Sequence, residues 1–174
     1  PVRSSGRVRD AVVDDARAIA EIKVAGWRAA YRGLLPDSAL DALDVEELTV
    51  DWARQIAVLQ EPSGCLVVES DQVVLGYGVF GRYRWPELSQ AGEVYAFYVD
   101  PTAWGRGLGR TLMTAVEARL EAAGFVDLAL WVLQTNQAGR RFYEALGWAS
   151  DETVGDRCEV DRAPEIRYRK TVGR

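Results

Sequence analysis

Three glycines at alternate positions, Trp104-Gly105-Arg106-Gly107-Leu108-Gly109-Arg110, stand between a strand pattern and an amphipathic-helix pattern. Few folds have a use for such a junction. Glycine opens backbone conformations closed to other residues and lets a ligand approach the main chain closely. A helix that starts immediately afterwards offers unsatisfied N–H groups and the positive end of its dipole to an anion. Leu108, Leu112, Val116 and Leu120 recur every four residues with Met113 beside them, so the helix runs to about Ala123 and Gly124 stops it. Arg106 and Arg110 add positive charge at the turn of a chain with a net charge of −5. These features imply a phosphate or pyrophosphate ligand; a tight strand-to-helix turn without ligand is the plain alternative.

Two phosphate-binding classes fit poorly. A Walker loop continues Gly-Lys-Ser/Thr, and here Gly109 is followed by Arg110-Thr111. A dinucleotide fold places its glycines after the first strand of a parallel unit, with an acidic residue closing the next strand. Here antiparallel strands come first, and the next strand ends in Trp131-Val132-Leu133.

Composition excludes more. The chain of 174 residues is 48% hydrophobic and 27% charged, enough for one globular domain with a core. Its 21 Lys+Arg against 26 Asp+Glu argue against binding nucleic acid by bulk charge. There is no histidine, which removes Ser-His-Asp and Cys-His machinery, His-containing zinc sites and the usual base near neutral pH. Cys65 and Cys158 are too far apart in sequence for a CxxC motif and fit free thiols of a reducing compartment. No apolar run approaches the roughly 20 residues of a membrane span, and the polar start is no signal peptide. The expectation is a cytoplasmic protein with no membrane or metal partner: a loose tail over residues 1–7 and a single domain over 8–174.

Along the chain, Val8–Val13 is the first expected strand, and Asp14-Asp15 can cap the helix carrying Ile19, Ile22, Gly26 and Ala30. Gly33 to Pro36 breaks that helix. Short helices follow over Asp37–Leu43 and about Val45–Gln60, then strands over Cys65–Glu69, Val73–Arg82 and Glu93–Val99 that form a meander. After the Gly-rich helix comes the continuous apolar strand Val126–Leu133, which suggests burial on both faces. A helix over Asn136–Leu146 and strands at Trp148–Val154 and Glu165–Thr171 complete a mixed sheet with helices on both faces.

Tyr98-Val99-Asp100-Pro101, the Gly-rich turn and its helix resemble the acetyl-CoA motif of the GNAT superfamily of N-acetyltransferases. Asn136-Gln137-Ala138-Gly139-Arg140-Arg141-Phe142-Tyr143-Glu144-Ala145-Leu146-Gly147-Trp148 is similar to that family's second segment, one helix and one strand later. The element order extends the resemblance over about Val8–Val172. It implies an α/β GNAT fold, a mostly antiparallel mixed sheet splayed into a V between Glu93–Val99 and Val126–Leu133. Acetyl-CoA would be co-substrate, its pantetheine beside Phe97, Tyr98 and Val99 and its pyrophosphate on Gly105, Arg106, Gly107, Leu108, Gly109 and Arg110. Two departures stand out. Trp104 replaces the usual Gln or Arg, and Leu130-Trp131-Val132 lacks the Glu that some members carry there.

Acetylation of a primary amine needs a base for the ammonium proton and an acid for the leaving thiolate. The resemblance gives the thiolate to Tyr143, which lies seven residues after Asn136 on the same helix face; otherwise Tyr143 is a packing residue beside Phe142. Asn136 is a helix N-cap that the resemblance also places against CoA. Glu93 is the candidate base, or else a solvated strand-end carboxylate, with water as the other route for the proton. Trp27, Tyr31, Trp85 and Tyr83 are candidates for the acceptor pocket, or simply core. Trp27-Arg28-Ala29-Ala30-Tyr31-Arg32-Gly33 resembles a stretch of a substrate-diverse bacterial subgroup. Asp151, Glu152, Asp156, Glu159 and Asp161 could draw a cationic amine toward the mouth, or form a solvated hairpin. The expected activity is direct attack by a small-molecule or peptide amine in a ternary complex, in a chain that could be a homodimer. The alternatives are a non-catalytic acyl-CoA sensor of the same fold and a nucleotide-binding domain.

Overall fold

The computed structural model describes residues 6–156 and 162–173; residues 1–5 of the expected tail, and Cys158, Glu159 and Asp161, lie outside the described residues. The elements are β1 (Arg7–Asp10), α1 (Ala16–Tyr31), α2 (Asp37–Asp41), α3 (Val45–Val58), β2 (Gly64–Ser70), β3 (Val73–Arg82), β4 (Gly92–Val99), α4 (Leu108–Ala122), β5 (Asp127–Leu133), α5 (Gln137–Ala145), β6 (Ala149–Gly155) and β7 (Glu165–Thr171). Seven strands form one sheet in the order β1-β2-β3-β4-β5-β7-β6, antiparallel except where β4 meets β5. Among the described residues no helix is long and apolar enough to cross a membrane.

The period of 2 in β2 explains why both faces of the sheet are covered. Leu66 and Val68 pack with Leu108, Leu112, Val116 and Leu120 of α4. Cys65 and Val67 pack on the opposite face with Ile19 and Ala20 of α1 and Trp52 of α3. Each strand of the meander is thus apolar in both directions, and each helix needs only one apolar stripe.

The first strand is shorter than its apolar pattern implies. It ends at Asp10, and Val13–Asp15 form a 3-10 turn that Val12 precedes, with Val12 and Val13 about half exposed. The expected cap is also different. Asp15 occupies the N-cap position of α1 without a side-chain cap bond there. Its carboxylate instead accepts from the Val12 N–H at 2.8 Å and from two Arg9 nitrogens at 2.7 and 2.9 Å, while Arg9 Nε donates to Glu69 at 2.9 Å. The bidentate Arg9 and the Val12 N–H take the oxygens that would otherwise cap the first turn of α1.

That pairing makes a prediction about pH. The Arg9 hydrogen bond, ahead of the other contributions, holds the Asp15 carboxyl below its ordinary range. Its stabilisation is therefore fully present above the unfolded value of about 3.9 and is lost as pH falls through the lower folded value. Asp15→Asn should cost about 2 kcal/mol near pH 7, and the deficit should shrink below about pH 4. Denaturant titrations of both chains at several pH values measure it; an equal deficit at pH 3 and pH 7 would refute the pairing.

The feature that creates the site lies at the centre of the sheet. β4 and β5 pair in parallel only over Gly92–Val94 with Leu128–Leu130. Beyond that point β4 continues along β3 alone. The register between β3 and β4 jumps from Val79↔Ala96 to Phe80↔Val94, leaving Tyr95 as an extra residue on β4. A bulge bends its strand and increases its twist, and this one sits where β4 leaves β5. The sheet opens there into a V.

Candidate active site

A cavity of ≈ 680 Å³ fills the V. Its walls are β4 from Val94 to Val99, β5 at Leu130–Val132, the C-terminal part of α1, the turn before α4, and α5. Phe97, Tyr98, Val99, Gly105, Gly107, Leu108, Gly109, Arg110 and Asn136 all line it. Arg106 is exposed in the same turn and is not among the lining residues. Gly105 and Gly107 have φ of 76° and 84°, and a Cβ at either would meet nothing within 4 Å. The backbone conformation, not lack of space, is what calls for glycine. Gly107 is the N-cap of α4 and no side chain caps it, so the first-turn N–H groups remain available to an anion.

Trp104 occupies the rim. Its ring is half exposed, and its Nε1 donates to the Val99 carbonyl at 2.8 Å. One acceptor on the terminal turn of β4 is therefore already used, which Gln or Arg at this position need not do.

α5 carries the second group of residues. The Asn136 side chain accepts from the Gly139 N–H at 3.0 Å and caps the helix. Tyr168 of β7 donates to Glu144 at 2.6 Å and accepts from Arg140 Nε at 3.1 Å, docking α5 on the sheet. Phe142 stacks on Phe97 with centroids 5.8 Å apart. Tyr143 lines the cavity between Phe142 and Tyr168. Burial, with the Tyr31 phenol as the lesser cause, pushes the Tyr143 hydroxyl well above the ordinary phenol range. It remains protonated across any working pH and can donate a hydrogen bond.

A smaller cavity of ≈ 150 Å³ adjoins the first. Tyr31, Val94, Tyr95, Ala96, Tyr98, Trp131 and Glu165 line both. Trp27 and Trp85 line only the smaller one. Trp27 Nε1 donates to the Tyr98 hydroxyl at 2.8 Å, and the Trp27 and Tyr31 rings meet edge to face at 5.3 Å. Tyr83 lines neither cavity. It is buried with Ala91 and Ala129, its hydroxyl bonded to Glu87 and Arg167.

Glu93 is fully buried in the wall of the smaller cavity, not solvated at a strand end. Its carboxylate accepts from the Arg84 backbone N–H at 3.1 Å, from Arg84 Nε at 3.2 Å and from Arg84 Nη2 at 2.8 Å. The Arg84 guanidinium also lies 4.7 Å from the Trp85 ring centroid and 4.6 Å from that of Tyr95. The acidic connection plays no part in either cavity among the described residues: Asp151 pairs with Arg167 at 2.7 Å, and Asp156 is exposed. Cys65 lines neither cavity, and burial pushes its thiol up to about 12, which suits a packed thiol and not a nucleophile.

Several lining residues carry no signal in the sequence. Lys23, Arg84, Tyr95, Trp131 and Glu165 reach the cavities from α1, the loop after β3, β4, β5 and β7. None belongs to either motif, and only the strand pairing brings them together.

A family model described as the acetyltransferase (GNAT) family matches residues 25–148. The chain is 27% identical over 157 residues to the uncharacterized N-acetyltransferase YuaI of Bacillus subtilis, covering 88% of this chain and 84% of that protein. It is 34% identical over 98 residues to the mycothiol acetyltransferase of Thermomonospora curvata, a match to 55% of this chain that spans only about a third, 31%, of that protein. Among solved structures it resembles the PaiA N-acetyltransferase of Thermoplasma acidophilum in complex with coenzyme A, with a TM-score of 0.76 at 18% identity, over 97% of this chain and 99% of that one.

Proposed function

Since the chain belongs to the acetyltransferase (GNAT) family, we propose that it transfers an acetyl group from acetyl-CoA to a primary amine by direct attack in a ternary complex. The observation that carries this reading is the open V. β4 leaves β5 after Val94, and the resulting cavity runs from an uncapped helix N-terminus at one end to an aromatic pocket at the other.

Two substrates can then meet from opposite ends. CoA takes the ≈ 680 Å³ side, its pyrophosphate on the turn from Gly105 to Arg110 and its pantetheine along Phe97, Tyr98 and Val99. Asn136 borders the pantetheine arm while capping α5. The acceptor takes the ≈ 150 Å³ side among Trp27, Tyr31 and Trp85. Aromatic faces attract an ammonium group through their quadrupoles, so a small amine on a compact apolar or aromatic body suits this pocket. The amine nitrogen attacks the thioester carbonyl, the C–N bond forms, and the C–S bond breaks with its electron pair on sulfur. Tyr143 holds the developing thiolate through a hydrogen bond from its hydroxyl and keeps its own proton. Two protons leave the ammonium in all; one ends on the thiolate and the other passes to a carboxylate or to water. Glu93, paired with Arg84 at 2.8 Å, is one candidate for the latter.

The test is CoA-thiol release from acetyl-CoA with and without a panel of primary amines. Amine-dependent release with intersecting double-reciprocal plots is expected. Parallel plots would point to an acyl-enzyme, and CoA binding without release would favour a sensor.

A further inference from the structure

The geometry points to Glu165 as the carboxylate that receives the acceptor's ammonium group and takes its first proton. This assignment rests on the acetyltransferase reading and names the group that reading leaves open.

Position is the main argument. Glu165 is the first residue of β7 and sits opposite Leu133, the last residue of β5, and Gly155, the last residue of β6. The Gln134 N–H bonds to the Pro164 carbonyl at 2.9 Å and ties the two strand ends together. The side chain lines both cavities, at the boundary where thioester and amine must meet. It is the sole carboxylate lining the larger cavity among the described residues, with Arg110 the sole guanidinium there. The β5 stretch Leu130-Trp131-Val132 brings no acid to the V, and the neighbouring strand supplies one at the same end.

Occupancy is the second argument. Both Glu93 oxygens accept N–H groups from Arg84, in a side chain 1% exposed. A base must offer a lone pair to its proton within hydrogen-bond reach. Arg84 N–H groups take three of the roughly four acceptor sites of the Glu93 carboxylate, and that guanidinium lies beside Trp85 and Tyr95. Glu165 is partly exposed, so a proton taken there can pass to water. The proton balance is simple: ammonium and carboxylate give free amine and carboxylic acid, the amine attacks, and the second nitrogen proton goes to the departing sulfur.

The charged and titratable groups around Glu165 in the smaller cavity are Lys23 and Tyr31 from α1, Arg84 from the loop after β3, and Glu93, Tyr95 and Tyr98 from β4. Lys23 Nζ lies 5.3 Å from the Trp27 ring centroid. In the larger cavity Arg110 and Tyr143 join Tyr31, Tyr95 and Tyr98, which line both.

The experiment compares the whole chain with Glu165→Gln and Glu165→Asp, using acetyl-CoA with tryptamine, spermidine and a triglycine peptide as probes. Kinetics use whichever of the three the unsubstituted chain acetylates fastest, and calorimetry gives the affinity for CoA. Glu165→Gln should lower kcat/KM for the amine about 100-fold at pH 7 with unchanged CoA affinity. The loss should narrow as pH rises and free amine accumulates. Glu165→Asp should recover part of the rate. Unaltered kcat/KM in Glu165→Gln overturns the assignment. Should that variant lose CoA binding, Glu165→Asp still decides, because it withdraws the charge by one methylene and must lower kcat/KM; an unaltered rate there overturns it too. A chain that binds no CoA, or acetylates none of the three amines, fails the acetyltransferase reading and takes the assignment with it.

Discussion

Tyr143→Phe should lower kcat for amine acetylation about 100-fold and leave CoA affinity unchanged. The phenyl ring keeps its contacts with Phe142 and Tyr168, at centroid distances of 5.3 and 6.3 Å, so α5 has no reason to move. What disappears is one hydrogen. The Tyr143 hydroxyl is buried enough to be a weaker acid than an ordinary phenol, whereas a thiol titrates near 8.5 in model compounds. Complete transfer of its proton to the thiolate is uphill. A hydrogen bond that strengthens as charge gathers on sulfur is not, and losing such a donor is a transition-state loss that falls on kcat. Steady-state kinetics with saturating acetyl-CoA, beside calorimetric titration with CoA, measure both quantities. A variant with the turnover of the original chain would remove Tyr143 from the mechanism, and a parallel fall in CoA affinity would make it a packing residue.

Gly107→Val should weaken CoA binding about tenfold or more without touching the reacting groups. Left-handed backbone at φ 84° costs an L-residue about 1–2 kcal/mol, and a β-branched side chain is worse placed there than most. The turn can relieve the strain only by rotating the amides that open α4. A control separates strain from ligand binding. Gly33 has a φ of 80° with nothing within 4 Å of an added Cβ, and it lines neither cavity. Gly33→Val should lose comparable stability and keep its affinity for CoA. Equal affinity losses in the two variants would mean that the turn at Gly107 has no special part in binding.

Much of the candidate site was legible because it is local. The glycines at 105, 107 and 109, the four-residue spacing of Leu108, Leu112, Val116 and Leu120, and Asn136 with Tyr143 on one helix face are short-range patterns. The glycine turn and the α5 pair map onto walls of the cavity, while the apolar stripe buries α4 against the sheet. Helices on both faces follow from strands that are apolar in both directions, as β2 is. Local patterns also misled. Val12 and Val13 look like strand residues yet lie exposed at a turn, and Asp15 looks like a cap yet is drawn to Arg9. Tyr83 and Trp85 are two residues apart and equally aromatic, but only Trp85 lines the pocket.

The sequence by itself determined the fold family, the glycine turn that opens α4 and, by lacking histidine, that a side-chain base in the proposed reaction would be a carboxylate. It could not say which carboxylate. Glu93 and Glu165 lie 72 positions apart, and nothing near either distinguishes them. The extra residue at Tyr95 bends β4 away from β5, and the insertion of β7 between β5 and β6 carries Glu165 to the mouth of that opening. Arg84 meanwhile closes over Glu93 from the loop after β3. Strand order and register decide these placements, and both arise from pairings between distant segments that local periodicity does not encode.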